Sequence, residues 1–235
     1  MACCFAHSYT GDFRRGVICG AGEMKYNTTG HRYKGQWLDD KKHGHGTFWY
    51  ADGNIYEGNF FEDEIHGRGR LTLFPGSILE EVYDGEFEKG VKHGRGMYVY
   101  PKSDGTVYDG DWDDGLRHGQ GLLRFADGSF YQGDFLREKK HGTGCMVWAD
   151  GSQYQGRWDR NQRHGEGTLL HADGTIFRGQ FNRDKKHGTG TVTSLDGSCY
   201  EGEWEHDRVL GTKGRFTLLT GLAHEDKVHL KVFGY

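Results

Sequence analysis

The sequence repeats itself with a short period. An aromatic-x-Gly-x-aromatic pentapeptide begins at Tyr9 (YTGDF), Tyr33 (YKGQW), Tyr56 (YEGNF), Tyr83 (YDGEF), Tyr108 (YDGDW), Tyr131 (YQGDF), Tyr154 (YQGRW), Phe177 (FRGQF) and Tyr200 (YEGEW). The steps are 24, 23, 27, 25, 23, 23, 23 and 23 residues. Ten residues after the starting aromatic comes His-Gly-x-Gly, at His43, His66, His93, His118, His141, His164 and His187. The first copy has Cys19-Gly20-Ala21-Gly22 instead, and the last has Leu210-Gly211-Thr212-Lys213. A period this short marks an array of small supersecondary units, each too small to bury an apolar face alone, with atypical copies at the ends.

Within a copy the period is 2. Tyr33, Gly35 and Trp37 share one face, and Lys34 and Gln36 share the other, as in a strand. A second strand starts at Gly-x-Gly. Two residues past its last glycine stand Met24, Phe48, Leu71, Tyr98, Leu123, Met146, Leu169 and Val192, and Phe216 takes the equivalent place in the last copy. The five mostly charged residues between the strands, such as Leu38 to Lys42, read as a hairpin loop. Asp-Gly between copies (Asp52-Gly53, Asp127-Gly128, Asp150-Gly151) reads as a two-residue type I′ turn, which needs positive φ at both positions. The long steps carry the only two prolines, Pro75 and Pro101, so they are expected to be longer turns at the sheet edge. Gly is 40 of 235 residues, more than double the ordinary ~7%, and leaves room for rings to lie over a neighbouring backbone. The expected fold is all-β: an elongated, twisted, single-layer antiparallel meander of about 18 strands, on the order of 85 Å long. Residues 1–8 form an N-terminal extension, 9–215 the nine hairpins, and 216–235 a C-terminal cap in which Lys227–Val232 is expected to cover the last edge as a strand.

Tyr-x-Gly-x-Trp/Phe followed by His-Gly-x-Gly at a 23-residue period resembles the MORN (membrane occupation and recognition nexus) repeat family, over almost the whole chain. The resemblance implies the same twisted antiparallel sheet. It also implies a stand-alone, non-enzymatic scaffold, because only residues 216–235 follow the last repeat. Members include radial spoke head proteins of cilia, cytoskeletal scaffolds and junctional proteins linking membranes. Some relatives associate through their terminal repeats, which implies a homodimer contact there.

Four surfaces are candidates for function. The aromatic face, Tyr33, Trp37, Tyr56, Phe60, Tyr83, Phe87, Tyr108, Trp112, Tyr131, Phe135, Tyr154, Trp158, Phe177, Phe181, Tyr200 and Trp204, has no second layer over it in a single sheet. An uncovered row of rings is expected to bind a helix or extended segment of a protein partner. The hairpin loops carry Lys41, Lys42, Lys139, Lys140, Lys185 and Lys186, the basis of an alternative in which a peripheral adaptor meets anionic phospholipid. These loops also hold Asp39, Asp40, Glu62, Asp63, Glu64, Glu138 and Asp184, so the rim reads as mixed. The seven His are in one register about 9.6 Å apart, too far to share a metal ion, and are expected to bond the hairpin backbone. The opposite face holds Glu57, Asp84, Glu86, Asp109 and Asp111, offset by Arg68, Arg70, Arg95 and Arg124 on paired strands.

The net charge is −4 and the isoelectric point near 6.4, which gives no general pull toward nucleic acid. There is no phosphate-binding loop, Gly-x-Ser-x-Gly or zinc spacing, so no catalytic residue, cofactor or metal is expected. The cysteines (Cys3, Cys4, Cys19, Cys145 and Cys199) form no framework and read as reduced thiols of an intracellular protein, with Cys3 and Cys4 candidates for palmitoylation. No signal peptide or apolar span is seen. The resemblance to the MORN family implies a location at the cytoskeleton, at the axoneme of a cilium.

Overall fold

The computed structural model describes residues 7–210 and 214–218. The expected cap at Lys227–Val232 and the acylation sites Cys3 and Cys4 fall outside these residues. The chain divides into two compact units, one running to Leu116 and one starting at Arg117. Each contains only antiparallel strands in the described residues, and sequential strands pair as hairpins.

The hairpin of the second repeat shows how the sequence makes the unit. Its strands are His31–Leu38 and Lys41–Trp49, with Tyr33 opposite Phe48, Gly35 opposite Gly46 and Trp37 opposite Lys42. The register shifts between Gly35 and Trp37, where the second strand bulges. Gly44, the first glycine of His-Gly-x-Gly, supplies the bulge with φ +60, and its equivalents Gly142 and Gly188 have +57 and +61. The His45 amide in the bulge donates to Gln36 Oε1 at 3.0 Å, and the Thr143 amide to Asp134 Oδ2 at 2.6 Å. The second glycine aligns across every pair. Gly22, Gly35, Gly46, Gly58, Gly69, Gly85 and Gly96 form one continuous row in the first unit. Gly121, Gly133, Gly144, Gly156, Gly167, Gly179, Gly190 and Gly202 form another in the second.

Both turn expectations need correction. The charged hairpin loop is only two residues long, and it is the type I′ turn. Its pairs include Asp39-Asp40 (φ +49, +63), Glu62-Asp63 (+47, +74) and Arg183-Asp184 (+48, +67). Between repeats, Ala51-Asp52-Gly53 is a three-residue connection in which only Gly53 has positive φ, +93. It is closed by Tyr50 N–H to the Asn54 carbonyl at 2.9 Å and Gly53 N–H to the Tyr50 carbonyl at 3.0 Å. A type I turn followed by a left-handed glycine matches strand twist as well as type I′ does. Non-glycine residues hold the type I′ conformation because the second one reaches back a repeat. Asp63 Oδ1 accepts from Lys42 N at 2.9 Å while Asp63 N donates to Lys42 O at 3.0 Å. Glu138, Asn161, Asp184 and Asp207 close the same clasp on the amides of Arg117, Lys140, Arg163 and Lys186. The proline-containing connections are longer turns, as expected, and Phe74 enters the first with φ +50.

Candidate binding face

The starting aromatic of each repeat folds down onto the glycine row. A Cβ built on Gly46 would lie 2.5 Å from Tyr33 Cε2, and one on Gly144 2.5 Å from Tyr131 Cε2. The ring therefore occupies the space that a side chain would need. Its hydroxyl donates to the carbonyl three residues on, beside the bulge: Tyr33 to Gln36 at 2.8 Å, Tyr83 to Glu86 at 2.8 Å and Tyr154 to Arg157 at 3.0 Å. Burial pushes the phenol pKa up at Tyr33, Tyr56, Tyr83, Tyr131 and Tyr154, so the hydroxyls stay donors. The second aromatic stands edge-on to the first and to its neighbour. Tyr33 meets Trp37 at 5.1 Å and Phe60 at 5.0 Å; Tyr154 meets Trp158 at 5.2 Å and Phe181 at 5.0 Å. Tryptophan at this position also donates Nε1–H to a row glycine: Trp112 to Gly96 O at 3.0 Å and Trp158 to Gly144 O at 3.2 Å.

This herringbone corrects the picture of an uncovered row. Tyr33, Tyr56, Tyr108, Tyr131, Tyr154 and Phe177 have 0% exposure, and Tyr83 1%. Trp37, Phe60, Phe87, Trp112, Phe135, Trp158 and Phe181 keep 2–5%, Trp204 8%, and Tyr200 is half-buried. The rings are the core of the sheet. What covers them is the residue just before each histidine, which is basic in six of the seven His-Gly-x-Gly repeats and Ile65 before His66. Lys92 Nζ lies 4.2 Å from the Trp112 centroid and 4.4 Å from that of Tyr98. Lys140 Nζ lies 4.4 Å from Trp158, Lys186 Nζ 4.9 Å from Phe177, and the Arg163 guanidinium 5.3 Å from Phe181. The lysine rim thus splits. Lys42, Lys140 and Lys186 are half-buried over rings, and desolvation lowers the pKa of Lys140 and Lys186. Lys41, Lys139 and Lys185 are exposed; Lys41 pairs with Glu62 at 3.3 Å and Lys185 with Asp207 at 2.9 Å.

The accessible part of the aromatic face lies just past the end of the second strand, at half-buried Tyr50 and Tyr100 in the first unit and Phe125, Trp148 and His171 in the second. In the second unit Trp148 and His171 border a cleft of about 610 Å³. Its apolar lining is Trp148, Leu169 and Phe181, with Arg163, Lys185, Lys186 and His171 set against Asp150, Asp184 and Asp207. Two other readings are also resolved. His93 lies 3.7 Å from both Glu88 and Asp113, and His141 Nδ1 lies 3.4 Å from Asp159 but makes no hydrogen bond, so the expected backbone bond is not made by that atom. On the opposite face the expected charge offset is present, with Arg70 3.6 Å from Asp84 and Arg95 3.2 Å from Asp111. The described residues contain no group of three or more metal-ligating side chains, and no helix long and apolar enough to cross a membrane.

Tandem two-strand hairpins, with rings seated on paired glycines, define a β-hairpin repeat protein of the binding-scaffold type. The MORN repeat model matches residues 9–30, 33–55, 56–78, 83–105, 108–130, 131–153, 154–176, 177–199 and 200–208, and the chain belongs to the MORN repeat family. No curated protein sequence matches the chain. Among solved structures, the TCP domain of SAS-4 (dCPAP) of Drosophila melanogaster, in complex with a proline-rich motif of Ana2 (dSTIL), is 17% identical, with a TM-score of 0.42 over 69% of this chain and 85% of that one. A streptogramin B lyase is 12% identical, with a TM-score of 0.17 over 77% of this chain and 86% of that one. Neither similarity is high enough to bear on function.

Proposed function

We propose that this chain is a cytoskeletal scaffold, placed at the ciliary axoneme, which holds a segment of a protein partner against the aromatic side of its sheet. The observation that carries the reading is the cleft at Trp148, where a half-exposed ring lies in a concave, solvent-open site among charged side chains of both signs. The ciliary placement rests on the resemblance of the repeats to radial spoke head proteins. The buried rings are unsuited to a direct test, because truncating Trp112 or Trp158 would damage the core. Trp148→Ala is the better variant, since this ring is half-exposed and lies outside the herringbone. Affinity purification from ciliated cells with mass spectrometry should recover axonemal proteins with the wild type and lose them with Trp148→Ala. Equal recovery with a folded variant would refute binding at this cleft.

A second reading, the membrane adaptor, is supported by the exposed Lys41, Lys139 and Lys185. It requires flotation with anionic liposomes at physiological salt, lost when these three are changed to Gln. At the terminal repeat Val209, Leu210 and Phe216 are 42%, 44% and 61% exposed, which supports the homodimer contact proposed there. Phe216→Ser should convert a dimer to monomer in light scattering, and a wild-type monomer would remove the proposal.

A further inference from the structure

The hairpin turns of the two units differ in charge. In the second unit, residues 137–140, 160–163 and 183–186 hold eight Lys and Arg against two carboxylates, a net of +6. The equivalent residues of the first unit, 39–42, 62–65 and 89–92, hold four Lys against five carboxylates, a net of −1. The excess has an ordered part. The first residue of three successive type I′ turns is Arg137, Arg160 and Arg183, with φ of +45, +48 and +48. Left-handed backbone favours Asn, Asp or Gly there, and the matching positions of the first unit hold Arg15, Asp39, Glu62, Lys89 and Asp114, with no two successive basic residues. Three arginines in a row at a disfavoured position are not explained by turn formation.

All three are exposed, and among the described residues none takes part in an ion pair. Neighbouring carboxylates are already engaged: Glu138 with Arg117 at 2.7 Å, Asp184 with Arg163 at 3.2 Å and Asp207 with Lys185 at 2.9 Å. The clasps at Glu138, Asn161 and Asp184 fix the turns, so the guanidiniums start from a rigid frame. Successive turns are two strands apart, about 9.6 Å.

We infer that Arg137, Arg160 and Arg183 form a ladder that binds an extended acidic protein segment rich in Glu and Asp. A charged chain of this kind is extended by self-repulsion, and a polyproline II conformation has three residues per turn at 3.1 Å each. It therefore presents a carboxylate on the same side about every 9.3 Å, which nearly matches the ladder. Guanidinium is suited to this role because it grips a carboxylate with two parallel N–H bonds. The ladder lies on the turn edge and does not depend on the aromatic cleft.

The test uses the full chain and a fluorescent poly-glutamate peptide long enough to span three turns, read by anisotropy at two salt concentrations. Binding is expected, weaker at the higher salt. The triple variant R137Q/R160Q/R183Q should bind about tenfold more weakly or worse, as expected for three exposed charge contacts. The first-unit variant R14Q/R15Q, with the same loss-of-charge chemistry, should bind as wild type does. Circular dichroism of both variants reports that the sheet is intact. Unchanged affinity in the triple variant, or an equal loss in R14Q/R15Q, would overturn the ladder. So would binding to phosphatidylserine vesicles without binding to the peptide.

Discussion

In Gly142-x-Gly144 the two glycines do different work. Gly142 holds φ +57 at the bulge, and a Cβ there would meet the flexible carboxylate of Asp134. Gly144 has no such backbone requirement, but its Cβ position is filled by the Tyr131 ring and the ring has 0% exposure, so it has nowhere to go. Overpacking of this kind costs about 3 kcal/mol, against about 1 kcal/mol for alanine at a positive-φ turn glycine with free space around it. Gly144→Ala should therefore destabilise the protein more than Gly128→Ala, whose φ is +86 with nothing within 4 Å. Urea unfolding of both variants measures the difference, and equal midpoints would mean that the ring is not seated as described. The sequence displays both glycines and the parity that brings Tyr131 to their face. It hides the covering cation, for a physical reason. Lys42, Gly44, Gly46 and Phe48 alternate along one strand, so Lys42 belongs to the aromatic face, but a charged run beside a hairpin looks like loop until the turn is known to be two residues long.

At the level of the turn, charge is used for fastening. Asp184 Oδ1 accepts from the Arg163 amide at 3.0 Å, and Asn161 fills the same role toward Lys140 at 2.8 Å with no charge at all. Asp184→Asn should then be nearly neutral, whereas Asp184→Ala leaves an amide without its acceptor and should cost about 1–2 kcal/mol. Thermal melts of the two variants would separate the clasp from the ion pair; if Asn were as damaging as Ala, charge would be the dominant contribution. The connections between repeats use aspartate differently. Asp127, Asp150 and Asp196 accept from the hydroxyl and amide of Ser129, Ser152 and Ser198, and these hydrogen bonds hold each carboxyl below its ordinary value of 3.8. A depressed folded-state pKa contributes stability that is present above the unfolded value and lost as pH falls through the folded one. The melting temperature should accordingly be flat from neutral pH to about 4 and fall below it. In Ser152→Ala the Asp150 carboxyl, followed by carbon NMR, should titrate closer to 3.8. The Asp-Gly pairs announce a turn in the sequence but not its type, because one left-handed glycine and two consecutive left-handed residues leave the same dipeptide signature.

Across the whole molecule, what matters is how far each interaction reaches. The net charge of −4 is an average that conceals three turns summing to +6, since these and the −1 of the first-unit turns are outweighed by a net of −9 on the rest of the chain. Stability is distributed in the same local manner. Tyr154 touches the aromatic of its own repeat, Trp158, and that of the following one, Phe181, while its strand is paired with the repeat before it through Met146. A globular core would couple such a residue to distant segments, but in a repeat array each unit meets only its neighbours. Tyr154→Ala removes a ring with 0% exposure and should cost about 3–5 kcal/mol locally. Amide hydrogen exchange should then show lost protection in the strands between Tyr131 and Trp204, while the amides between Tyr33 and Gly85 exchange as in the wild type. Uniform loss of protection along the chain would show instead that the repeats unfold as one cooperative body, and would replace the nearest-neighbour account of this sheet.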